Sequence, residues 1–203
     1  MKIDAGLDLL TFGHNKQIPT QIKQPALKAL SFYPELKNAA IRFNFKKNIR
    51  TSVMQAQPVF STLIQNRRNR RYRINISRHF KLKSCDMPIT EIPEAVMIGW
   101  IVHELGHIMD YEHRTNAEIA LFGYRYLFSP EYVKEAERVA DTYAVNHGSG
   151  KYILSTKRFI LDHAEIPQVY KNKIKRLYLS PDIIVDLVKK VEEKKEKVAV
   201  EDL

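Results

Sequence analysis

One short motif constrains this chain more than any other feature: His103-Glu104-Leu105-Gly106-His107, inside the apolar segment 92–109. Residues four apart on an α-helix point the same way, so the two imidazoles would face one point. Two neutral imidazoles at this spacing can hold Zn²⁺ at about 2.0–2.1 Å. Glu104 would project beside the metal, where its carboxylate can take a proton from an activated water. The motif therefore predicts a site for one Zn²⁺ on a helix, with Glu104 as general base.

A buried helix that merely carries two histidines would show the same letters. However, two imidazoles and a carboxylate on one face of an apolar helix are costly to bury without partners. We expect this helix to be capped by Thr90, to hold Pro93 in its first turn and to end near Asp110. Its core-facing stripe would consist of Ile98, Ile101, Val102, Leu105 and Ile108.

Composition limits the classes of protein to which this chain can belong. A chain of 203 residues that is 44% hydrophobic is large enough for one domain with a proper core. A single cysteine, Cys85, excludes an intramolecular disulfide and a cysteine-rich zinc site. We see no secretory leader at the start and no apolar run of about 18 residues, so we expect a cytoplasmic protein with no membrane partner.

The net charge of +10 raises the question of an acidic partner such as nucleic acid. The charge is not all in one place: one basic cluster lies at 67–73, and another lies in the tail at 189–197, where lysine and glutamate are mixed. Solvated protein faces explain both segments. We therefore do not expect a nucleic-acid partner, although a nucleic-acid-binding module is kept as an alternative function.

Hydrophobic periodicity predicts an α+β fold in one domain, 1–203. Residues 20–36 have helical spacing, whereas the alternation in 41–46 and 71–77 indicates strands. We expect a small antiparallel sheet over 41–80, with the arginine-rich strand Arg71–Ser77 at its edge. Further helices are predicted at 117–128, 130–148, 152–164, 169–179 and 183–197. Three parts follow: a helix and sheet (1–90), the metal-binding helices (91–150) and a helical C-terminal part (151–203).

A catalytic zinc site needs a third protein ligand besides the two histidines. Glu137 is one candidate, because it lies in a predicted helix with Asp141 four residues later on the same face. Asp141 could then accept a hydrogen bond from the far nitrogen of a ligand histidine and set its tautomer. The second candidate is His113, ten residues after His103. Spacing alone leaves both candidates open.

The pair of motifs, His103-Glu104-x-x-His107 and Glu137-x-x-Ala140-Asp141, resembles the gluzincin zinc peptidases of the thermolysin-like clan, particularly the short soluble minigluzincins. The resemblance covers roughly residues 20–150. It implies a zincin-like fold and a zinc metalloendopeptidase, with His103, His107 and Glu137 as metal ligands. Glu104 would be the general base, and Asp141 would support a ligand from behind. The implied substrate is a peptide or protein, bound as an added strand along the Arg71–Ser77 edge.

His113 has the spacing of the alternative metzincin pattern, H-E-x-x-H-x-x-G-x-x-H. In this chain Asp110 replaces the glycine of that pattern, and no methionine follows Met109 to form the turn that metzincins place beneath the metal. Glu137 is therefore the preferred third ligand. The resemblance also implies a tyrosine or histidine that stabilises the oxyanion. Spacing does not choose among the candidates His147, Tyr143, Tyr152 and His163.

Overall fold

The computed structural model describes residues 9–47, 49 and 52–201. Its α-helices are α1 (Lys23–Leu30), α2 (Glu94–His113), α3 (Asn116–Phe128), α4 (Pro130–Asn146), α5 (Gly150–Asp162), α6 (Gln168–Leu177) and α7 (Pro181–Glu201). Its strands are β1 (Lys16–Gln17), β2 (Ala40–Lys46), β3 (Met54–Pro58), β4 (Arg71–Ser77), β5 (His79–Lys81) and β6 (Asp86–Pro88). The α+β class predicted from the sequence is confirmed. None of the helices described is both long and apolar enough to cross a membrane.

The main sheet is mixed, so the predicted antiparallel sheet is wrong. Its strand order is β1-β2-β4-β3. Strands β1, β2 and β4 run parallel, and only β3 runs antiparallel to its neighbour β4. The chain places β3 on the outside and returns to insert β4 beside β2. A period of two in the sequence identifies each strand but does not encode which strand becomes its neighbour.

The predicted edge position of Arg71–Ser77 is also wrong, because β4 pairs with β2 on one side and with β3 on the other. Arg71 is exposed because it lies on a polar face of the sheet, and its exposure does not mark an edge strand. The edge strand that packs against α2, the helix carrying His103 and His107, is β3. Val59 N–H donates to the Arg71 carbonyl and Ser77 N–H to the Val53 carbonyl, so the odd-numbered residues of this ladder face β4. The N–H and carbonyl groups of Met54 and Ala56 therefore point away from the sheet.

Helix α2 lies at the centre of the molecule, against α1, α4, α5 and β3. Each residue of its predicted core stripe is at most 3% exposed. Close approach to α4 occurs at Gly106, where an added Cβ would lie 2.5 Å from the Ala140 carbonyl oxygen. Glycine is needed here because any side chain would force the two helices apart. This contact brings the histidine motif of α2 against the Glu137–Asp141 segment of α4.

Local capping chemistry explains the ends of α4 but not the start of α2. Ser129 accepts a hydrogen bond from Tyr132 N–H and Pro130 is the first helical residue, as expected for the start of α4. Gly148, at φ +78°, follows α4, which confirms the predicted stop. Thr90 does not cap α2: it lies in a 3₁₀ turn, and α2 begins at Glu94.

Candidate metal centre and active-site cleft

The two motif histidines lie one turn apart on α2, and each is 7% exposed. Their ring centroids are 4.8 Å apart, with the ring planes nearly perpendicular. His103 Nδ1 lies 2.9 Å from Asp141 Oδ1. The other ring nitrogen of His103, Nε2, therefore faces the space that it shares with His107. Both imidazoles are therefore held in a buried position from which their Nε2 atoms converge.

Glu137 reaches the same point from α4. Its Oε2 is 3.0 Å from His103 Nε2 and 3.5 Å from His107 Nε2. The described residues contain one group of three or more histidine, cysteine, aspartate or glutamate side chains whose ligand atoms all lie within 4.8 Å of one another. His103, His107 and Glu137 form that group. His113 is not part of this group, because its Nδ1 bonds the Met109 carbonyl at 2.8 Å. The structure thus brings together the preferred third ligand and leaves out the alternative.

The spacing of these three atoms fits a small tetrahedral cation. Ligand bonds of about 2.0–2.1 Å at tetrahedral angles place neighbouring ligand atoms about 3.3 Å apart. The two distances from Glu137 Oε2 to the histidine nitrogens, 3.0 Å and 3.5 Å, lie on either side of that value, and all three ligand atoms lie within 4.8 Å of one another. When His103 Nδ1–H donates to Asp141, its Nε2 lone pair and the Glu137 carboxylate face each other, and both are electron donors. A proton or a cation must lie between them, and two nitrogens with one oxygen form a donor set suited to Zn²⁺.

The ionisation of the protein groups agrees with a site built for a cation. Burial opposes the charged form of His103, but hydrogen bonds to Asp141 and Glu137 outweigh it and raise the pKa of His103 to about 10. Burial also opposes ionisation of Glu137, yet the two histidines hold its pKa well below the usual range. For the protein groups alone, a proton on His103 therefore provides the positive charge that the two carboxylates require.

Asp141 is fully buried and has two further partners that sequence analysis missed. Lys157 Nζ on α5 lies 3.0 Å from Asp141 Oδ2, and Leu179 N–H donates to the same oxygen at 3.1 Å. The Lys157 ammonium also lies 4.0 Å from the centroid of the Tyr178 ring. Burial would raise the pKa of Asp141, but Lys157 and His103 lower it. The aspartate therefore stays ionised and holds His103 in one orientation, while joining α2, α4 and α5.

Asp141→Asn should weaken both folding and metal binding. The variant leaves the buried Lys157 ammonium without its counter-ion, and breaking such a pair costs about 3–5 kcal/mol. Loss of the carboxylate behind His103 should lower zinc affinity by about 10–100-fold. Chemical denaturation and a chelator-competition titration measure the two effects, with the exposed Asp162→Asn as control. If Asp141→Asn matches the control in both assays, the supporting role of Asp141 is wrong.

Glu104 projects from α2 toward the edge strand, where its Oε2 accepts a hydrogen bond of 2.5 Å from Ala56 N–H. The side chain is buried, and burial raises the pKa of Glu104. A carboxylate with a raised pKa is a better proton acceptor than one in water. The position beside the ligand group and the raised basicity both agree with the role of general base predicted from the motif.

A cleft of about 330 Å³ opens over these groups. Glu104, His107 and Glu137 line its polar side, β3 forms one wall, and α3 forms the other. None of the four oxyanion candidates from the sequence lines this cleft: His147, Tyr143, Tyr152 and His163 all lie elsewhere. Tyr126 and Tyr178 line it instead. Tyr126 donates its hydroxyl to Glu137 Oε1 at 2.5 Å, a contact that the apolar pattern of α3 did not single out.

Comparison of the chain with protein-family models, with curated proteins and with solved structures found no match. The site therefore has to be interpreted from its own geometry.

Proposed function

We propose that this protein is a zinc-dependent peptidase. The observation that carries the proposal is the convergence of His103, His107 and Glu137 on one point, with the carboxylate of Glu104 lining the same cleft. A purely structural zinc site would have no use for that additional carboxylate. The resemblance of the two helical motifs to the gluzincin peptidases supports the same assignment.

In the proposed reaction, His103, His107 and Glu137 would hold the metal, and Asp141 keeps the His103 ring oriented. Zinc, when bound, would polarise the scissile carbonyl and make a water acidic enough to attack near neutral pH. Glu104 takes the proton of the attacking water and passes it to the leaving amine. Its hydrogen bond from Ala56 N–H keeps the carboxylate aimed at the cleft while the proton is transferred.

Strand β3 is the proposed docking edge for the substrate, in place of Arg71–Ser77. The backbone of Met54 and the carbonyl of Ala56 point away from β4 toward the cleft side, so a peptide could add to them as a further strand. Pro58 at the end of β3 lacks an N–H, which limits how far such pairing extends. The bound peptide would cross the cleft between β3 and α3, directly over Glu104.

The alternative of a nucleic-acid-binding module loses part of its support. Arg70, in the middle of the arginine cluster, is 4% exposed and donates to Asn116 Oδ1 and to the Tyr111 carbonyl. This side chain joins the end of α2 to the start of α3, and its burial keeps the guanidinium away from a phosphate in solution. The peptidase remains the function that the described residues support best.

The direct test is metal content combined with hydrolysis. Protein purified without chelators should contain about one zinc per chain and should cleave a mixture of fluorescence-quenched peptides. A chelator should remove both the metal and the cleavage, and added Zn²⁺ should restore them. Protein that fails to bind Zn²⁺ in a titration would contradict the proposal, and so would a zinc-loaded protein that cleaves no peptide in a diverse mixture.

A further inference from the structure

Helix α3 has an unusually apolar outer surface for a helix on the outside of a protein. Its inner face is fixed by the buried Ile119 and Phe122 and by the hydroxyl contact of Tyr126. Its outer face exposes Leu121 (47%), Tyr124 (64%), Leu127 (77%) and Phe128 (70%). The Tyr124 and Phe128 rings lie 4.9 Å apart. These side chains have no partner among the residues that the structure describes that would remove them from water.

The segment after β3 continues this apolar surface. Phe60 is 65% exposed and Ile64 is 90% exposed. Phe60 and Leu127 line the mouth of the same cleft, and Asn116 at the start of α3 donates to the Gln65 carbonyl. Together, six exposed side chains form what we call the apolar rim: Phe60, Ile64, Leu121, Tyr124, Leu127 and Phe128. The shared cleft and the Asn116 hydrogen bond place the two segments of the rim beside each other, and large exposed apolar patches mark interaction sites.

Three exposed arginines lie beside the apolar rim, against two exposed acids in the same segments, Glu118 and Glu131. Arg67 and Arg68 lie three and four residues after Ile64 and are exposed, and Arg125 is exposed on α3. Residues 60–69 contain no acidic residue. The one acid of α3, Glu118, accepts hydrogen bonds from the backbone and hydroxyl of Thr115. The surface therefore combines aromatic and leucine side chains with arginines, and the chain as a whole carries +10.

We propose that the apolar rim docks this protein on the surface of an anionic lipid bilayer. Leucine, phenylalanine and tyrosine favour the boundary between headgroups and acyl chains, and neighbouring arginines are attracted to anionic lipids. This surface association replaces our sequence-based expectation of no membrane partner. If the peptidase function holds, the cleft mouth between Phe60 and Leu127 would open next to the bilayer, and the substrates would be protein segments close to a membrane surface.

The test is sedimentation of the full chain with lipid vesicles. The protein should bind vesicles of phosphatidylcholine mixed with phosphatidylglycerol, and should bind pure phosphatidylcholine much less. The triple variant Ile64→Ser, Tyr124→Ser, Phe128→Ser should reduce partitioning into the mixed vesicles at least about tenfold, because three apolar side chains no longer enter the interface. The matched control is Val169→Ser, which removes an 83% exposed apolar side chain outside the rim and should bind like the parent.

Three results would overturn the proposal. The parent protein could fail to sediment with the mixed vesicles, or the triple variant could bind them as well as the parent. Analytical ultracentrifugation could instead show a dimer that the triple variant abolishes, which would assign the apolar rim to a second copy of the chain. Vesicle binding is measured without substrate and can use Glu104→Gln protein. A protein that does not bind vesicles would therefore leave the peptidase proposal standing. A protein without peptidase activity would likewise leave the membrane proposal standing.

Discussion

Glu104→Gln should lower the rate of peptide hydrolysis by about 10²–10⁴-fold while zinc remains bound. The amide of glutamine matches the carboxylate in size and can still accept the hydrogen bond from Ala56 N–H, so the fold and the metal ligands are preserved. It cannot take a proton from water at neutral pH. Because the replaced group is a buried acid, the variant should be at least as stable as the parent.

The measurement pairs steady-state cleavage of a fluorescent peptide with zinc analysis of the same sample. Glu94→Gln is a matched control, since it makes the same change at an exposed position on α2. A Glu104→Gln protein that retains both zinc and full activity would remove Glu104 from the mechanism.

Glu137→Gln should nearly abolish zinc binding at neutral pH. The carboxylate at the centre of the site contributes the negative charge as well as one of three ligand atoms, and an amide replaces it poorly. We expect affinity to fall by more than the roughly 10–100-fold typical of residues that only support a ligand. Hydrolysis should fall in parallel, and an excess of Zn²⁺ should restore part of it.

Competition with a chromogenic chelator measures the affinity of this variant. The control is Glu135→Gln, an exposed position on the same helix, which should bind zinc like the parent. An unchanged affinity in Glu137→Gln would mean that the metal is held elsewhere or through another third ligand.

The candidate ligand set could be predicted from the sequence because each helix contributes its part locally. His103 and His107 share a face of α2, and Glu137 and Asp141 share a face of α4, as a separation of four residues requires. Whether the two faces meet depends on the tertiary packing of α2 against α4, and the contact at Gly106 shows that they do. The start of α4 at Ser129-Pro130 was predictable for the same reason, since capping chemistry is local.

The sheet and the surroundings of Asp141 could not be predicted. The alternation in Arg71–Ser77 marks a strand with one polar face, and an interior strand with a solvated face gives the same pattern as an edge strand. Lys157 is one of two lysines in the amphipathic helix α5, and nothing in the local sequence distinguishes it from a solvated lysine. Its partner Asp141 lies 16 residues away in the sequence. Only the packing of α5 against α4 makes Lys157 the counter-ion of this buried carboxylate.

The absence of a side chain at Gly106 has a consequence for metal selectivity. Because the two helix backbones touch there, the main chain limits how far apart the imidazole pair and the opposing carboxylate of the proposed zinc site would lie. Such a cage cannot widen without separating the helices. Calcium, which needs more oxygen ligands at longer bonds, would find neither the room nor the donors, and discrimination against it follows from the close approach of two helices.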